Sequence, residues 1–187
     1  MLAAENASKN SKPYLLVIDE INRADLAKVL GESIFLFESE SDYKRVIELP
    51  YDFGEPYGRK FSFPENLHVL GTMNSADRSI AIVDVAIRRR FAFLNLWPQL
   101  KVVEEFGCVL MQKAFKDLLS IFIEYAVDDA FPLVPGHSYF LERNEEDAVK
   151  HLKVNLVPLL EEYLAQGYVA SFADTIRSYL QWVESLQ

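Results

Sequence analysis

The run Leu15-Leu16-Val17-Ile18 stops abruptly at two carboxylates, Asp19 and Glu20. Four consecutive apolar residues of this kind, bounded by polar sequence, predict a strand buried on both faces, as in a parallel sheet. Acids at the carboxyl end of such a strand sit where open α/β sheets bind their ligands. On these six residues alone two readings stay open. The segment is either a ligand-binding strand end or an ordinary core strand that finishes in solvated acids.

A length of 187 residues accommodates one medium domain or one and a half small ones. Half of the residues are hydrophobic and 13% are aromatic, which supplies a sizeable core and argues against disorder. The formal net charge of −9 is wrong for a general nucleic-acid surface. Arg88-Arg89-Arg90 is a basic cluster too short to track a phosphate backbone. A single cysteine, Cys108, excludes a disulfide framework and a cysteine-based metal site. His68, His137 and His151 have no ligand spacing. No apolar stretch is long enough for a membrane span, and the polar stretch from Met1 to Lys12 lacks a signal-peptide core. The expectation is a soluble, cytoplasmic chain with no membrane contact.

The first half has an α/β pattern and the second an all-α one. Asp25 is placed to cap a helix over Leu26, Val29, Leu30, Ile34 and Phe37. Val46 to Leu49 and Lys60 to Phe63 predict a hairpin or extended insertion. Leu67 to Met73 predicts a second buried strand ending at Asn74. A short helix over Ile82 to Arg89 and a third strand over Phe91 to Leu96 follow, and Trp97-Pro98 closes this part. From Lys101 onward three helical stripes appear. They are Leu118, Phe122 and Ala126; then Leu152, Leu156, Leu159, Leu160 and Tyr163, with Pro158 bending or delimiting the helix; then Phe172, Ile176, Tyr179, Leu180 and Val183. Phe131 to Gly136 reads as the linker between the first two helical segments.

Four positions now fall in order: the Asp19-Glu20 strand end, the Asn74 strand end, Asp77, and the arginines at a helix end. The first has the form of a Walker B strand. The set resembles an AAA+ NTPase module from Walker B to its C-terminal lid. The wording is more specific. Ile18-Asp19-Glu20-Ile21-Asn22-Arg23-Ala24, Gly71-Thr72-Met73-Asn74-Ser75-Ala76-Asp77-Arg78-Ser79 and Asp84-Val85-Ala86-Ile87-Arg88-Arg89-Arg90-Phe91 resemble the McrB family, motor subunits of modification-dependent restriction enzymes. Gly136-His137-Ser138-Tyr139-Phe140 and Pro158-Leu159-Leu160-Glu161-Glu162-Tyr163-Leu164 resemble its lid. The resemblance runs from about Tyr14 to about Gly167. It implies a partial AAA+ parallel sheet over residues 1–98 and an all-α helical lid over residues 99–187.

The resemblance also implies roles. Asp19 would hold Mg²⁺ through water, and Glu20 would polarise the attacking water. Asn74 matches the sensor I residue, and Asp77 the family's signature acid that helps position the water. For both, a capped turn before a helix is the alternative. Arg88 and Arg89 match arginine fingers acting on a neighbouring subunit, the alternative being cations favoured by a helix C-terminus. Arg23 and Arg78 fit structural or salt-bridge roles better. His137 falls where AAA+ lids approach the nucleotide, although such a histidine is more often simply packed in its loop. The implied cofactors are Mg²⁺ and GTP or ATP. The implied partners are other AAA+ subunits in a ring and an endonuclease subunit of the McrC type, with DNA reached only indirectly.

One family element has no counterpart here. A P-loop, G-x-x-x-x-G-K-[ST], should precede the Walker B strand, and the residues before Tyr14 contain none. Without its amides and lysine this polypeptide is expected to bind triphosphate poorly and to carry an exposed sheet edge. A fragment, a truncated gene product and a fold completed by a second chain each fit that expectation. Three functions follow: the catalytic core and lid of a ring motor, a non-catalytic assembly module that donates Arg88 and Arg89, or a blocker of a related motor's interface.

Overall fold

The computed structural model describes residues 2–9, 12–38, 45–55, 58–74, 85–127 and 130–187. The chain divides into two compact units, Met1–Leu94 and Asn95–Gln187. No helix among the described residues is long and apolar enough to cross a membrane.

The first unit is built on two parallel strands, β1 (Tyr14–Ile18) and β4 (Leu67–Gly71), with Tyr14 opposite Leu67 and Ile18 opposite Gly71. This in-register pairing brings both carboxyl ends to one edge. Helix α1 (Leu2–Lys9) packs against both strands, with Ala4 and Ala7 buried. Asn66, at the entry to β4, donates its amide to Ala7 O at 2.9 Å and to Lys12 O at 2.7 Å. The polar composition of Met1 to Lys12 hid this helix from the sequence pattern, since small residues such as the buried Ala4 and Ala7 carry little apolar periodicity.

Two sequence expectations are corrected here. Strand β1 is not buried on both faces: Leu15 and Val17 remain 59% and 53% exposed, with Leu70 beside them on β4. Only two strands pair in this sheet, and one of its faces has no cover among the described residues. Phe91 to Leu96 forms no strand, and Leu94 and Leu96 are exposed. A strand needs a ladder partner for its backbone groups, and none of the described residues offers one there.

Helix α2 (Leu26–Leu30) starts as expected at Asp25, whose Oδ1 accepts the Lys28 amide at 3.2 Å. It tightens into a 3₁₀ segment over Gly31–Phe37 that buries Ile34 and Leu36. Strands β2 (Ile47–Glu48) and β3 (Lys60–Phe61) pair antiparallel as the expected hairpin. Helix α3 (Val85–Arg88) is anchored by Ile87, which joins Ile21 and Ile34 in a core lined by Ile18, Leu30 and Phe91.

The second unit is all helical. Helices α4 (Leu100–Phe106) and α5 (Val109–Tyr125) meet at Gly107, where a Cβ would lie 2.4 Å from Phe140 O and 2.9 Å from Val103 O. Helix α5 buries Met111, Phe115, Leu118 and Phe122, and its rings stack edge-on with Phe140 at 5.2 Å and Phe172 at 5.3 Å. Phe131 to Gly136 is no solvent-borne linker, since a short 3₁₀ turn there buries Leu133 and Val134. Helix α6 (Glu145–His151) is capped by Asn144, whose Oδ1 accepts the Glu146 amide at 2.9 Å. A π turn, Leu152–Leu156, leads into α7 (Val157–Ala165), and Val157 N–H reaches back to Leu152 O. The wider turn is the local answer to Pro158, which lacks an N–H and whose ring crowds the carbonyl four residues back. Helix α8 (Ala173–Ser185) buries Ile176, Tyr179 and Val183, and the Tyr179 hydroxyl donates to Ala114 O at 3.0 Å.

Candidate functional site

The carboxyl ends of β1 and β4 form the site. Parallel strands lie about 4.8 Å apart, so the residues that follow Ile18 and Gly71 emerge side by side. Asp19, Glu20 and Asn74 therefore leave the same edge of the sheet. Gly71 lies close beneath Ile21: a Cβ there would come 2.8 Å from the end of the Ile21 side chain, which would have to shift.

Thr72 joins the two strand ends through every polar atom it has. Its amide donates to Ile18 O at 3.0 Å, and its carbonyl accepts the Ile21 amide at 2.8 Å. Its hydroxyl donates to Asp19 Oδ1 and accepts the Glu20 amide at 3.1 Å. Between these anchors the backbone turns sharply. Glu20 has φ of +52°, the one positive φ outside glycine among the described residues. A left-handed conformation at a residue with a side chain costs about 1–3 kcal/mol and persists only where the surroundings impose it. Arg23 closes the turn, its amide donating to Glu20 O at 2.9 Å and its Nε lying 3.4 Å from Glu20 Oε2. Asn22 is buried and donates Nδ2 to Asn74 O at 3.2 Å, which fixes the backbone of the second strand end.

Asp19 presents an exposed carboxylate with Oδ1 engaged by Thr72. Among the described residues no group of three or more His, Cys, Asp or Glu side chains could hold a metal by itself. A lone hard-oxygen ligand suits Mg²⁺, which keeps several waters and takes one or two carboxylates plus substrate phosphates. It does not suit a structural zinc or calcium site, which needs a fuller set of protein ligands.

The three arginines part company. Ile87 is pinned in the core, so the positions that follow it turn outward. Arg88 and Arg89 are exposed, and Arg88 lies over the Phe93 ring at 5.5 Å. Arg90 is held instead: its side chain is 9% exposed and pairs with Glu38, whose second oxygen is 2.5 Å from Arg45. The Arg90 guanidinium also lies over the Phe35 ring at 5.5 Å. Arg90 is thus a structural cation, and the two before it are the available ones.

In the second unit His137 Nδ1 accepts the Gln99 amide at 3.4 Å, so one ring nitrogen already has a local partner. Asp77 and Arg78 lie outside the described residues. Sequence reasoning missed Thr72 and Asn22, although both sit inside the quoted motifs. Their partners lie more than fifty residues away, and no local spacing announces such pairs.

No family profile matches the chain. Two curated relatives do, and both are restriction-enzyme components. The chain is 33% identical, over 172 residues covering 81% of its length, to the Type IV methyl-directed restriction enzyme EcoKMcrB subunit of Escherichia coli K12. It is 28% identical, over 157 residues covering 71% of its length, to the Type II restriction enzyme BsuMI component YdiS of Bacillus subtilis 168. The matched regions span 37% and 43% of those relatives, about two fifths of each. The chain belongs to the McrB family.

Proposed function

We propose that this chain is the water-activating and lid portion of an AAA+ motor that hydrolyses a nucleoside triphosphate within a restriction system. The observation that carries the reading is the paired strand end, where Asp19, Glu20 and Asn74 emerge together and are tied by Thr72 and Asn22. Residues 1–98 would be the later part of the AAA+ core and residues 99–187 the lid.

Bound Mg²⁺ would supply charge neutralisation on the phosphates, with Asp19 as its protein ligand through water. Glu20 would orient the attacking water and take its proton as the new P–O bond forms at the γ-phosphorus. The nucleoside diphosphate leaves as the β–γ bridging bond breaks. Asn74 would hold the same water by its neutral amide, adding no charge that competes with the metal. Asp77 would assist the water, as the family resemblance implies. Arg88 and Arg89 would reach the γ-phosphate of a neighbouring subunit, where a planar permanent cation matches the charge spreading over its oxygens. Their exposure, against the burial of Arg90, supports that division. His137 would contact nucleotide through Nε2, since Nδ1 is engaged. The phosphate cradle would come from outside these residues, the nucleotide being GTP or ATP. The assembly would be a ring working with an endonuclease subunit that reaches DNA.

Mixing two inactive variants tests this reading. Glu20→Gln and Arg89→Ala assemblies should each fail to release phosphate. An equal mixture should regain activity at about a quarter of its interfaces, those that pair an intact Glu20 with an intact neighbouring Arg89 in a head-to-tail ring. If Glu20→Gln alone stays active and only Arg89→Ala is dead, the chain donates arginines and does not hydrolyse.

A further inference from the structure

We infer that Thr72 is a positioning residue that sets both acids of the site at once, through its single hydroxyl. The inference rests on the reading of Glu20 as the residue that handles water.

A glutamate at φ +52° does not hold that conformation by preference, and the turn has few means of enforcing it. The Thr72 amide and carbonyl extend the ladder to Ile18 and Ile21, on either side of the turn. Any residue but proline at position 72 provides those two bonds. Among the described residues the Glu20 amide itself, at the strained residue, is received only by the Thr72 hydroxyl at 3.1 Å. The same oxygen donates its proton to Asp19 Oδ1. A hydroxyl is the smallest side-chain group that accepts and donates simultaneously. One oxygen therefore fixes the direction in which Glu20 leaves the backbone and the rotation of the Asp19 carboxylate. With Oδ1 turned toward Thr72, Asp19 Oδ2 is directed to its other side, which sets where a hydrated cation is met.

Threonine suits the position for a second reason. A β-branched residue is stiff about χ1, so the hydroxyl is held in place with little rotamer entropy to lose. Valine keeps that shape and loses both hydrogen bonds. Serine keeps both bonds and loses the methyl. The pair of variants isolates the hydroxyl.

The test has a backbone readout and a kinetic one. Amide exchange is followed in the full chain for Thr72→Val and Thr72→Ser, resolving Glu20 from Ile21. Thr72→Val should lower protection of the Glu20 amide about ten-fold while leaving Ile21, which bonds the Thr72 carbonyl, unchanged. Thr72→Ser should keep both. In the nucleotide-hydrolysing assembly Thr72→Val should lower kcat about 10- to 100-fold with KM within about two-fold, and Thr72→Ser should restore it. Unchanged Glu20 protection in Thr72→Val overturns the inference, as does equal loss at Glu20 and Ile21, which marks general loosening. A serine variant as defective as the valine one also overturns it. A Glu20→Gln assembly run alongside separates the two levels. If it hydrolyses nucleotide normally, the water-handling reading fails and takes the kinetic half of this inference with it. The exchange result still decides the clamp.

Discussion

Replacing Arg90 by alanine should unfold the first unit more easily, whereas Arg88→Ala and Arg89→Ala should not. The Arg90 side chain is 9% exposed and its partner Glu38 is 34% exposed. Removing one member of a fully buried ion pair costs about 3–5 kcal/mol, because the other charge is left without compensation. Glu38 keeps partial access to water and keeps Arg45 on its second oxygen, which lowers that figure. Loss of the guanidinium over Phe35 adds back a fraction of a kcal/mol. The expected destabilisation is about 2–3 kcal/mol, or roughly 10–20 °C in the midpoint of a unit this size. The exposed neighbours should shift stability by less than about 0.5 kcal/mol. Both tryptophans, Trp97 and Trp182, lie in the second unit, so tryptophan fluorescence follows that unit and far-ultraviolet dichroism follows both. The Arg90→Ala change should move the dichroism transition and leave the tryptophan one in place. A cycle with Glu38→Gln should show the two losses to be strongly non-additive. An Arg90→Ala variant as stable as Arg89→Ala would refute the assignment of Arg90 as the structural cation.

Other outcomes follow from the second unit. Phe122→Ala removes a fully buried ring packed on Phe172 and should cost about 3–5 kcal/mol by urea unfolding followed through Trp182. Gly107→Ala should destabilise by more than about 1 kcal/mol in the same assay, because its Cβ would meet two carbonyl oxygens that have no room to move. Alkaline pH should weaken this unit. Burial raises the Tyr163 hydroxyl from 10.0 to about 12 and pushes Tyr179 up further, with the Asp117 charge adding to the latter. The folded state thus holds protons that the unfolded chain releases. The stabilisation is complete below pH 10.0 and is lost as pH rises toward about 12, which thermal midpoints taken across that range will show.

How far the sequence led depended on whether a signal was local. The apolar run into Asp19-Glu20 announced its strand, because four consecutive apolar residues between polar flanks leave few alternatives, and the β-like stretch from Leu67 to Asn74 announced the partner. The helical stripes of the second unit were legible for the same reason, and Pro158 marked its own disturbance. The exposure of Leu15 and Val17 was not legible, since a strand's residue pattern records the faces it is suited to bury and not those covered in this sheet. Phe91 to Leu96 has strand composition without a strand partner. The family resemblance set Arg88 and Arg89 apart from Arg90, but the physical basis, the pairing of Arg90 with Glu38 52 positions away, is carried by no local pattern. Thr72 was invisible for the same reason: its hydroxyl matters through Glu20 and Asp19 on another strand.

The central claim is that the strand end carrying Glu20 activates water for triphosphate hydrolysis. Phosphate release from GTP and from ATP, by the assembled protein with the proposed endonuclease subunit and Mg²⁺, tests it most directly when wild type is set against Glu20→Gln. The account predicts that the variant assembles and retains nucleotide but releases phosphate at least about 100-fold more slowly, the scale expected on removing a general base. Hydrolysis by Glu20→Gln at the wild-type rate would contradict it.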